Sequence, residues 1–494
     1  MLLLGIDLGT SSIKVSVLDL HSQELLASAS YPESEAEIIS IKPGWAEQSP
    51  EEWWQHTQKA ILKAHQLGKY NPTDIAAIGI SYQMHGLVCV DKNQKVIRNS
   101  IIWCDSRAVP YGEKAFNIIG AEKSLSHLLN SPGNFTAAKL AWVKEEEPEL
   151  FRKIDKIMLP GDFLAMKLTG EITTSASALS EGIFWDFKAD SISKDILAAF
   201  GFEESIIPDT REVFTTHGYV KKDVAGLLSL KEGIPVTYKA GDQPNNAFSL
   251  NILQPGEIAA TAGTSGVVYG VTDKANYDPK SRVNSFAHVN YTSDAKRIGV
   301  LLCINGTGIL NSWLRKNFFN GLSYDQINRE AASVNIGADG LLCYPFGNGA
   351  ERVLENKDVG ASIKGLQFNQ HQRAHVARAA QEGIVCALNY GMEIMKELGM
   401  KLETVRAGHA NMFLSEIFST AFANTTGCRV ELYNTDGSIG AARAAGLGAK
   451  LYKNFSECFT GMHQIKSIEP KGELQEKYGE LYGRWREGIV NRES

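Results

Sequence analysis

Apolar and polar positions along the start of the chain predict a β-meander. Leu2 to Asp7 is an apolar run, Gly9-Thr10-Ser11-Ser12 a polar turn, and Ile13-Lys14-Val15-Ser16-Val17 has the alternation of a half-buried strand. A third strand is expected over Glu24 to Ser30, after the polar stretch Asp19 to Gln23. Ser49-Pro50-Glu51-Glu52 then joins a capping hydroxyl to a proline at the first helical position, which predicts a helix reaching Leu67. The unbroken apolar run Ile75-Ala76-Ala77-Ile78-Gly79-Ile80 reads as a central strand buried on both faces. It ends at Ser81-Tyr82-Gln83-Met84-His85, before Leu87-Val88-Cys89-Val90 resumes strand character.

The second half opens in the same way. Ile258-Ala259-Ala260-Thr261-Ala262 reads as a strand, Gly263-Thr264-Ser265 as a turn, and Gly266-Val267-Val268-Tyr269 as the returning strand. Two Gly-Thr-Ser turns in matched contexts suggest one architecture used twice. Val376, Ala380, Ile384, Ala387, Gly391 and Ile394 recur at helical spacing in a long buried helix expected over His375 to Leu398. Thr404 to Ala407 is expected as a strand running into Gly408-His409-Ala410-Asn411, and Asp436 to Gly440 opens a helix rich in alanine and glycine. The stripe from Leu474 to Ile489 reads as the packing face of a last helix.

At 494 residues the chain has room for two to four domains, and the repeated turn narrows this to two similar halves, 1–245 and 246–494. Hydrophobic residues at 44% and charged residues at 21% exclude a disordered chain. Lys and Arg number 50 against 56 Asp and Glu, a formal charge of −6, so neither nucleic acid nor an anionic membrane is expected as a partner. Glycine is in excess, 45 of 494 residues or about 9% against a usual ~7%, and part of that excess lies in the two turns. Seven cysteines form no CxxC pair and are expected as free thiols in a reducing cytoplasm. The apolar run at the N-terminus is too short for a signal peptide, and no stretch approaches the ~18 apolar residues of a membrane helix.

Several polar groups stand directly after strand sequence, where open α/β sheets bind ligands. Asp7 closes a buried strand ahead of Gly9-Thr10-Ser11, a turn that can offer backbone N–H groups to phosphate oxygens while the acid holds Mg²⁺. One such turn alone is equally an ordinary hairpin; a second, at Gly263-Thr264-Ser265, favours two grips on one triphosphate. Gly241-Asp242 sets an acid at a strand end, suited either to taking a proton from a hydroxyl or to capping a helix. Gln83-Met84-His85-Gly86 and Trp103-Cys104-Asp105-Ser106-Arg107 supply the hydrogen bonders and flat apolar wall of a polyol pocket. Taken singly, His85 reads as a structural histidine and Asp105–Arg107 as a surface ion pair. No dinucleotide or Walker fingerprint is present.

Ile6-Asp7-Leu8-Gly9-Thr10-Ser11, Gly241-Asp242 and Gly263-Thr264-Ser265-Gly266 together resemble the FGGY carbohydrate kinases. Trp45-x-Glu47-Gln48-x-Pro50, Phe135-Thr136-x-x-Lys139-Leu140-x-Trp142-Val143, Leu159-Pro160-x-Asp162-Phe163-Leu164, Glu351-Arg352 and Gly437-x-x-Gly440-Ala441-Ala442-Arg443 extend the resemblance over nearly the whole chain. Gln83-Met84-His85-Gly86 and Trp103-x-Asp105-x-Arg107 are similar to the members that phosphorylate D-xylulose. The resemblance implies an α/β fold of two duplicated ribonuclease-H-like domains, of the actin and hexokinase type, around a central cleft. The N-terminal domain would hold the sugar site and first phosphate turn, the C-terminal domain the second turn and the adenosine site. It further implies transfer of the ATP γ-phosphate to a sugar, with Asp242 as general base and ATP and Mg²⁺ as cofactors. Gln83, Met84, His85, Trp103 and Asp105 would contact the sugar. Gly9, Thr10, Ser11, Gly263, Thr264, Ser265, Gly408 and Asn411 would hold the nucleotide, and Asp7 and Asp242 the metal. A homodimer, another ketose, polyol or sugar acid as substrate, and an actin-like nucleotide switch stay open at this point.

Overall fold

A computed structural model describes residues 1–493 of the chain. Its core is a pair of mixed sheets. The first contains β1 (Leu2–Leu8), β2 (Ile13–Asp19), β3 (Leu25–Tyr31), β4 (Ile75–Tyr82), β5 (Gly218–Tyr219) and β6 (Pro235–Gly241), in the order β5-β6-β4-β1-β2-β3. The second contains β7 (Ile258–Ala262), β8 (Gly266–Thr272), β9 (Asn284–Ala287), β10 (Ile298–Ile304), β11 (Thr404–Gly408), β12 (Arg429–Tyr433) and β13 (Gln464–Ile468), in the order β9-β10-β8-β7-β11-β12-β13.

The duplication anticipated from the turns is visible strand by strand. β3-β2-β1 is an antiparallel meander whose inner strand pairs in parallel with β4, and β4 with β6. β10-β8-β7 repeats the meander, with β7 parallel to β11 and β11 to β12. Each Gly-Thr-Ser turn joins the first strand of its sheet to the second. This is the ribonuclease-H-like α/β fold in two copies.

Helices cover both faces of each sheet, as parallel strands buried on both sides require. They are α1 (Pro50–Leu67), α2 (Thr136–Glu146), α3 (Pro160–Thr169), α4 (Ala176–Glu181), α5 (Asp242–Ser249), α6 (Gly308–Phe318), α7 (Arg373–Glu397), α8 (Glu416–Thr426), α9 (Gly437–Gly448) and α10 (Gly472–Glu493), with shorter elements between. α1 begins as its sequence predicts, with the Ser49 hydroxyl accepting from the Glu52 N–H. α7 starts two residues before the expected His375, because Gln372 and His375 cap each other reciprocally.

One feature was not anticipated. α9 follows the second sheet's β12 in the chain, yet it lies on the first sheet. The register sets Gly5 of β1 beside Gly79 of β4, and both glycines face this helix. A Cβ on Gly5 would strike the carbonyl of Ser438, and one on Gly79 the carbonyl of Ala441. Ile439, Ala441, Ala442, Ala444 and Ala445 thereby join Leu3, Ala77 and Tyr238 in one buried cluster. No described helix is long and apolar enough to cross a membrane.

Candidate active site

The site is built on strand ends of both sheets and on α5, which lies between them and carries Ala247, with Leu250 just past its end, into the core beneath the second sheet. Asp242 is the first residue of α5, directly after β6, where a carboxylate also complements the helix dipole. Burial raises its pKa to about 7, with the charge of Asp7 adding to the effect. Asp7, at the end of β1, is raised to about 6 by burial, with the charge of Asp436 adding to the effect and that of Lys14 opposing it. The charge of Asp7 disfavours ionisation of Asp242, and the two carboxylates together form a donor set that could hold Mg²⁺. The third acid nearby, Asp436, is already paired with Lys14 at 2.6 Å and caps α9 through the Ile439 N–H.

The first turn is closed by the Gly9 N–H donating to the Ser12 carbonyl at 3.1 Å. Among the described residues, the amides of Thr10 and Ser11 have no acceptor and remain available to an anion. The Thr10 hydroxyl donates to Gln83 Oε1 at 3.2 Å and accepts from Trp103 Nε1 at 2.9 Å, so it ties the turn to the segments after β4 and around Trp103. Gln83 in turn donates to Gln48 Oε1 at 2.9 Å.

The second turn is open in a different way. The carbonyls of Gly263 and Thr264 accept from the Gly308 and Ile309 N–H groups at the start of α6, at 2.9 and 3.1 Å. The N–H groups of Gly263, Thr264 and Ser265 have no acceptor among the described residues, and three consecutive free amides make an anion-binding nest. Asn411, in a left-handed conformation at φ 53°, sets its Nδ2 3.6 Å from where a Cβ on Gly263 would lie. Gly408, at the end of β11, accepts from the Ala410 N–H at 2.8 Å and brings that loop to the turn. Asp242 feels the charge of Asp7 ahead of the first turn, and Cys303 feels both Asp242 and Ser265 of the second, so the acid stands near both turns.

Met84 packs against Gly241, where a Cβ would come within 2.7 Å of Met84 Cγ, so the residues after β4 stand beside Asp242. His85 adopts φ 63° and stacks edge-on to Phe135 with centroids 4.8 Å apart. Trp103 is exposed on the rim.

Asp105 is placed differently. It is completely buried, and its oxygens accept from the Ala46 and Arg107 N–H groups and from the Arg107 guanidinium at 2.7 Å. Arg107 also pairs with Glu47 at 2.6 Å and is stacked on Trp45, 3.7 Å from the ring centre. The carboxylate expected to contact the sugar is thus engaged internally by Arg107, and the pair fixes the loop that presents Trp103.

Two groups carry no role in the sequence reading. Glu181, at the end of α4, is buried beside Asp242 and raised by that burial to about 8. It accepts from the Tyr82 hydroxyl at 2.8 Å. Glu351, also raised by burial to about 7, accepts the Asn305 N–H at 3.1 Å and braces the loop behind the second turn. Glu181, a single acid in small-residue sequence, gives no local signal of such placement; Glu351 lies in the Glu351-Arg352 motif, which carried the resemblance without a role for the acid.

Residues 2–249 match the N-terminal domain, and residues 258–449 the C-terminal domain, of the FGGY family of carbohydrate kinases. The chain is 30% identical to the xylulose kinase of Bacillus subtilis over 97% of its own length and 95% of the relative's. A crystal structure of a xyloylose kinase from Brucella ovis superposes with a TM-score of 0.87 at 26% identity, covering 99% of both chains. The gluconate kinase of Lactobacillus acidophilus shares the fold, with a TM-score of 0.89 at 22% identity over 100% of this chain and 98% of its own. With its family-wide match and its duplicated sheets around one cleft, the chain belongs to the FGGY family of carbohydrate kinases and is a sugar-phosphorylating enzyme.

Proposed function

We propose that the protein transfers the γ-phosphoryl group of ATP to the O5 hydroxyl of D-xylulose, with Asp242 as the general base. The observation that carries this reading is the position of Asp242, close to Asp7 ahead of the first turn, near Ser265 of the second and beside the Met84–His85 pair, with a pKa of about 7. A carboxylate of that basicity is matched to deprotonating an alcohol as its oxygen attacks phosphorus. Full-length similarity to a xylulose kinase supports the choice of sugar.

Phosphoryl transfer is governed by alignment and charge neutralisation. The free amides of Thr10 and Ser11 and those of Gly263, Thr264 and Ser265 hold phosphate oxygens from the two sides of the cleft. Gly408 and Asn411 place the adenosine end beside the second turn. Asp7 and Asp242 would hold Mg²⁺, which when bound offsets charge on the transferring phosphates. Gln83, Met84, His85 and the Trp103 wall orient the sugar, while Asp105 acts on the pocket through the loop it anchors. Closure of the halves excludes water that would otherwise take the phosphoryl group.

A coupled assay over ketoses, polyols and sugar acids tests the substrate. D-Xylulose is expected to give the highest kcat/KM, and a higher value for any other sugar overturns that assignment. Asp242→Asn is expected to lower kcat by roughly 10²–10⁴-fold, the usual contribution of a general base. Near-normal turnover of that variant would remove Asp242 from the role.

A further inference from the structure

One cation in the cleft has no counter-charge. Arg352 opens the short 3₁₀ turn Arg352–Leu354 in the second half. Its guanidinium stands over the Phe135 ring of the first half, with Cζ 5.7 Å from the ring centre. It acts on the His85 ring, which is edge-on to Phe135, and on the Cys303 thiol of β10. The residue is only partly exposed, yet among the described residues its guanidinium has neither a hydrogen bond nor an ion pair. The groups close by do not compensate it. Glu351, one residue earlier, turns both carboxylate oxygens to the Asn305 N–H at 3.1 Å. Asn305 Nδ2 donates to the Ala350 carbonyl at 2.9 Å, so the loop that carries Arg352 is fastened just past the end of β10. Burial pushes the Cys303 thiol up to about 12, so no thiolate faces the cation at neutral pH.

A guanidinium withdrawn from water without a partner is costly, and its five N–H donors form a planar fork that matches the oxygens of an anion. The Phe135 face attracts the charge but leaves the in-plane donors unused. Burial lowers the Arg352 pKa, the direction expected of a desolvated cation whose charge is not neutralised. An oxyanion therefore completes the site, and the position of the fork selects which one. Cys303, beside Arg352, also feels Asp242 and Ser265, so the fork adjoins the place where the acid and the second turn meet. His85 and Phe135 bound it on the side of the loop after β4. A phosphoryl group passing from a nucleotide on the turns to a hydroxyl at Asp242 crosses that region.

We infer that Arg352 is a further catalytic residue: its guanidinium binds the oxygens of the phosphoryl group as that group moves from ATP to the sugar hydroxyl, and then holds the phosphate ester of the product. The inference rests on the kinase reading above and adds to it a cation supplied by the second half. In the step, the sugar oxygen forms a bond to the γ-phosphorus while the bond from that phosphorus to the β,γ-bridging oxygen breaks. The electron pair of the broken bond leaves with ADP, and the hydroxyl proton passes to Asp242. Donors fixed before the reaction stabilise charge on the phosphoryl oxygens more strongly in a water-poor cleft than in bulk solvent.

The test uses the full-length enzyme and reads binding and turnover separately. In titration calorimetry without nucleotide, Arg352→Met should weaken D-xylulose 5-phosphate by about ten- to a hundredfold, the scale of hydrogen bonds to a charged group, and leave free D-xylulose unchanged. In the coupled assay with the best sugar of the panel, the same variant should lower kcat by about 10²–10³-fold at a nearly constant sugar KM. Arg352→Lys keeps the charge without the fork and should fall between. It reads the same split if the methionine variant does not fold. Equal weakening of ester and free sugar, or of neither, overturns the inference, and so does near-normal kcat in a folded variant. Loss confined to the kcat/KM of aldonates, with neutral sugars unaffected, also overturns it, by assigning the fork to a substrate carboxylate. A best sugar other than D-xylulose overturns that assignment alone, because the split is then read with that sugar and its phosphate ester.

Discussion

Burial sets the ionisation of four carboxyl groups near neutrality: Asp7 at about 6, Asp242 and Glu351 at about 7 and Glu181 at about 8. Each value lies above that of an unfolded carboxyl, about 4. The stability linked to these groups is therefore complete below pH ~4 and is lost as the pH rises through the folded values. Asp242→Asn, which cannot ionise, should raise the melting temperature relative to wild type at pH 8.5 and leave it nearly unchanged at pH 4, as calorimetry at the two pH values will show. An equal change at both would separate the group's stability effect from its charge. The same ionisation has the opposite sign for activity. A base must be unprotonated, so kcat/KM is expected to rise with pH up to about 7 and then level off. Because Asp7 and Asp242 repel each other, saturating Mg²⁺ should move that limb to lower pH, and a limb indifferent to Mg²⁺ would speak against metal held between them.

At the scale of elements, close approach at two glycines joins α9 to the first sheet. Gly79→Ala would drive a methyl into the Ala441 carbonyl, backbone against backbone, where no rotamer change relieves the contact. A loss of about 2–3 kcal/mol is expected from chemical denaturation, at the upper end for overpacking. The strands were legible because their period is short and local: β1, β2, β4, β7 and β8 fall where alternation or apolar runs set them. The two Gly-Thr-Ser turns were legible for the same reason, and so was the acid at the end of β6. Long-range placements were not. Glu181 meets His85 across 96 residues, and the Lys139 bond to the His85 carbonyl spans 54. No period or spacing records such contacts. Asp105 shows the same limit from the other side: its chemistry suggested a sugar contact, but whether its oxygens face the cleft or Arg107 depends on Trp45 and Trp142 closing over that pair.

For the whole molecule, the two halves share more than a cleft. Segment 437–459 follows β12 in the chain but fills the open face of the first sheet, with Tyr452, Cys458 and Phe459 adding to the α9 cluster. Tyr452 donates its hydroxyl to the Leu20 carbonyl at 2.9 Å, and the Gly461 N–H reaches Gln23 Oε1 at 3.0 Å. A fragment of residues 1–249 should accordingly fail to fold alone, giving broad amide resonances, and should gain dispersion when the 436–461 segment is supplied as a peptide. A well-dispersed spectrum from the fragment alone would show the helix to be dispensable.

The same crossing helix sets a schedule for synthesis. The first sheet is complete in sequence at Gly241, but its covering helix ends at Gly448, about 200 residues later. At a translation rate of ~5–20 residues per second, that gap lasts roughly 10–40 s. Throughout it, Leu3, Ala77 and Tyr238 lie on a bare apolar surface outside the ribosome, open to chaperones and to other nascent chains. A message stalled or truncated before Gly448 would release every chain in that sticky state, so the yield of folded enzyme depends on the ribosome passing that residue.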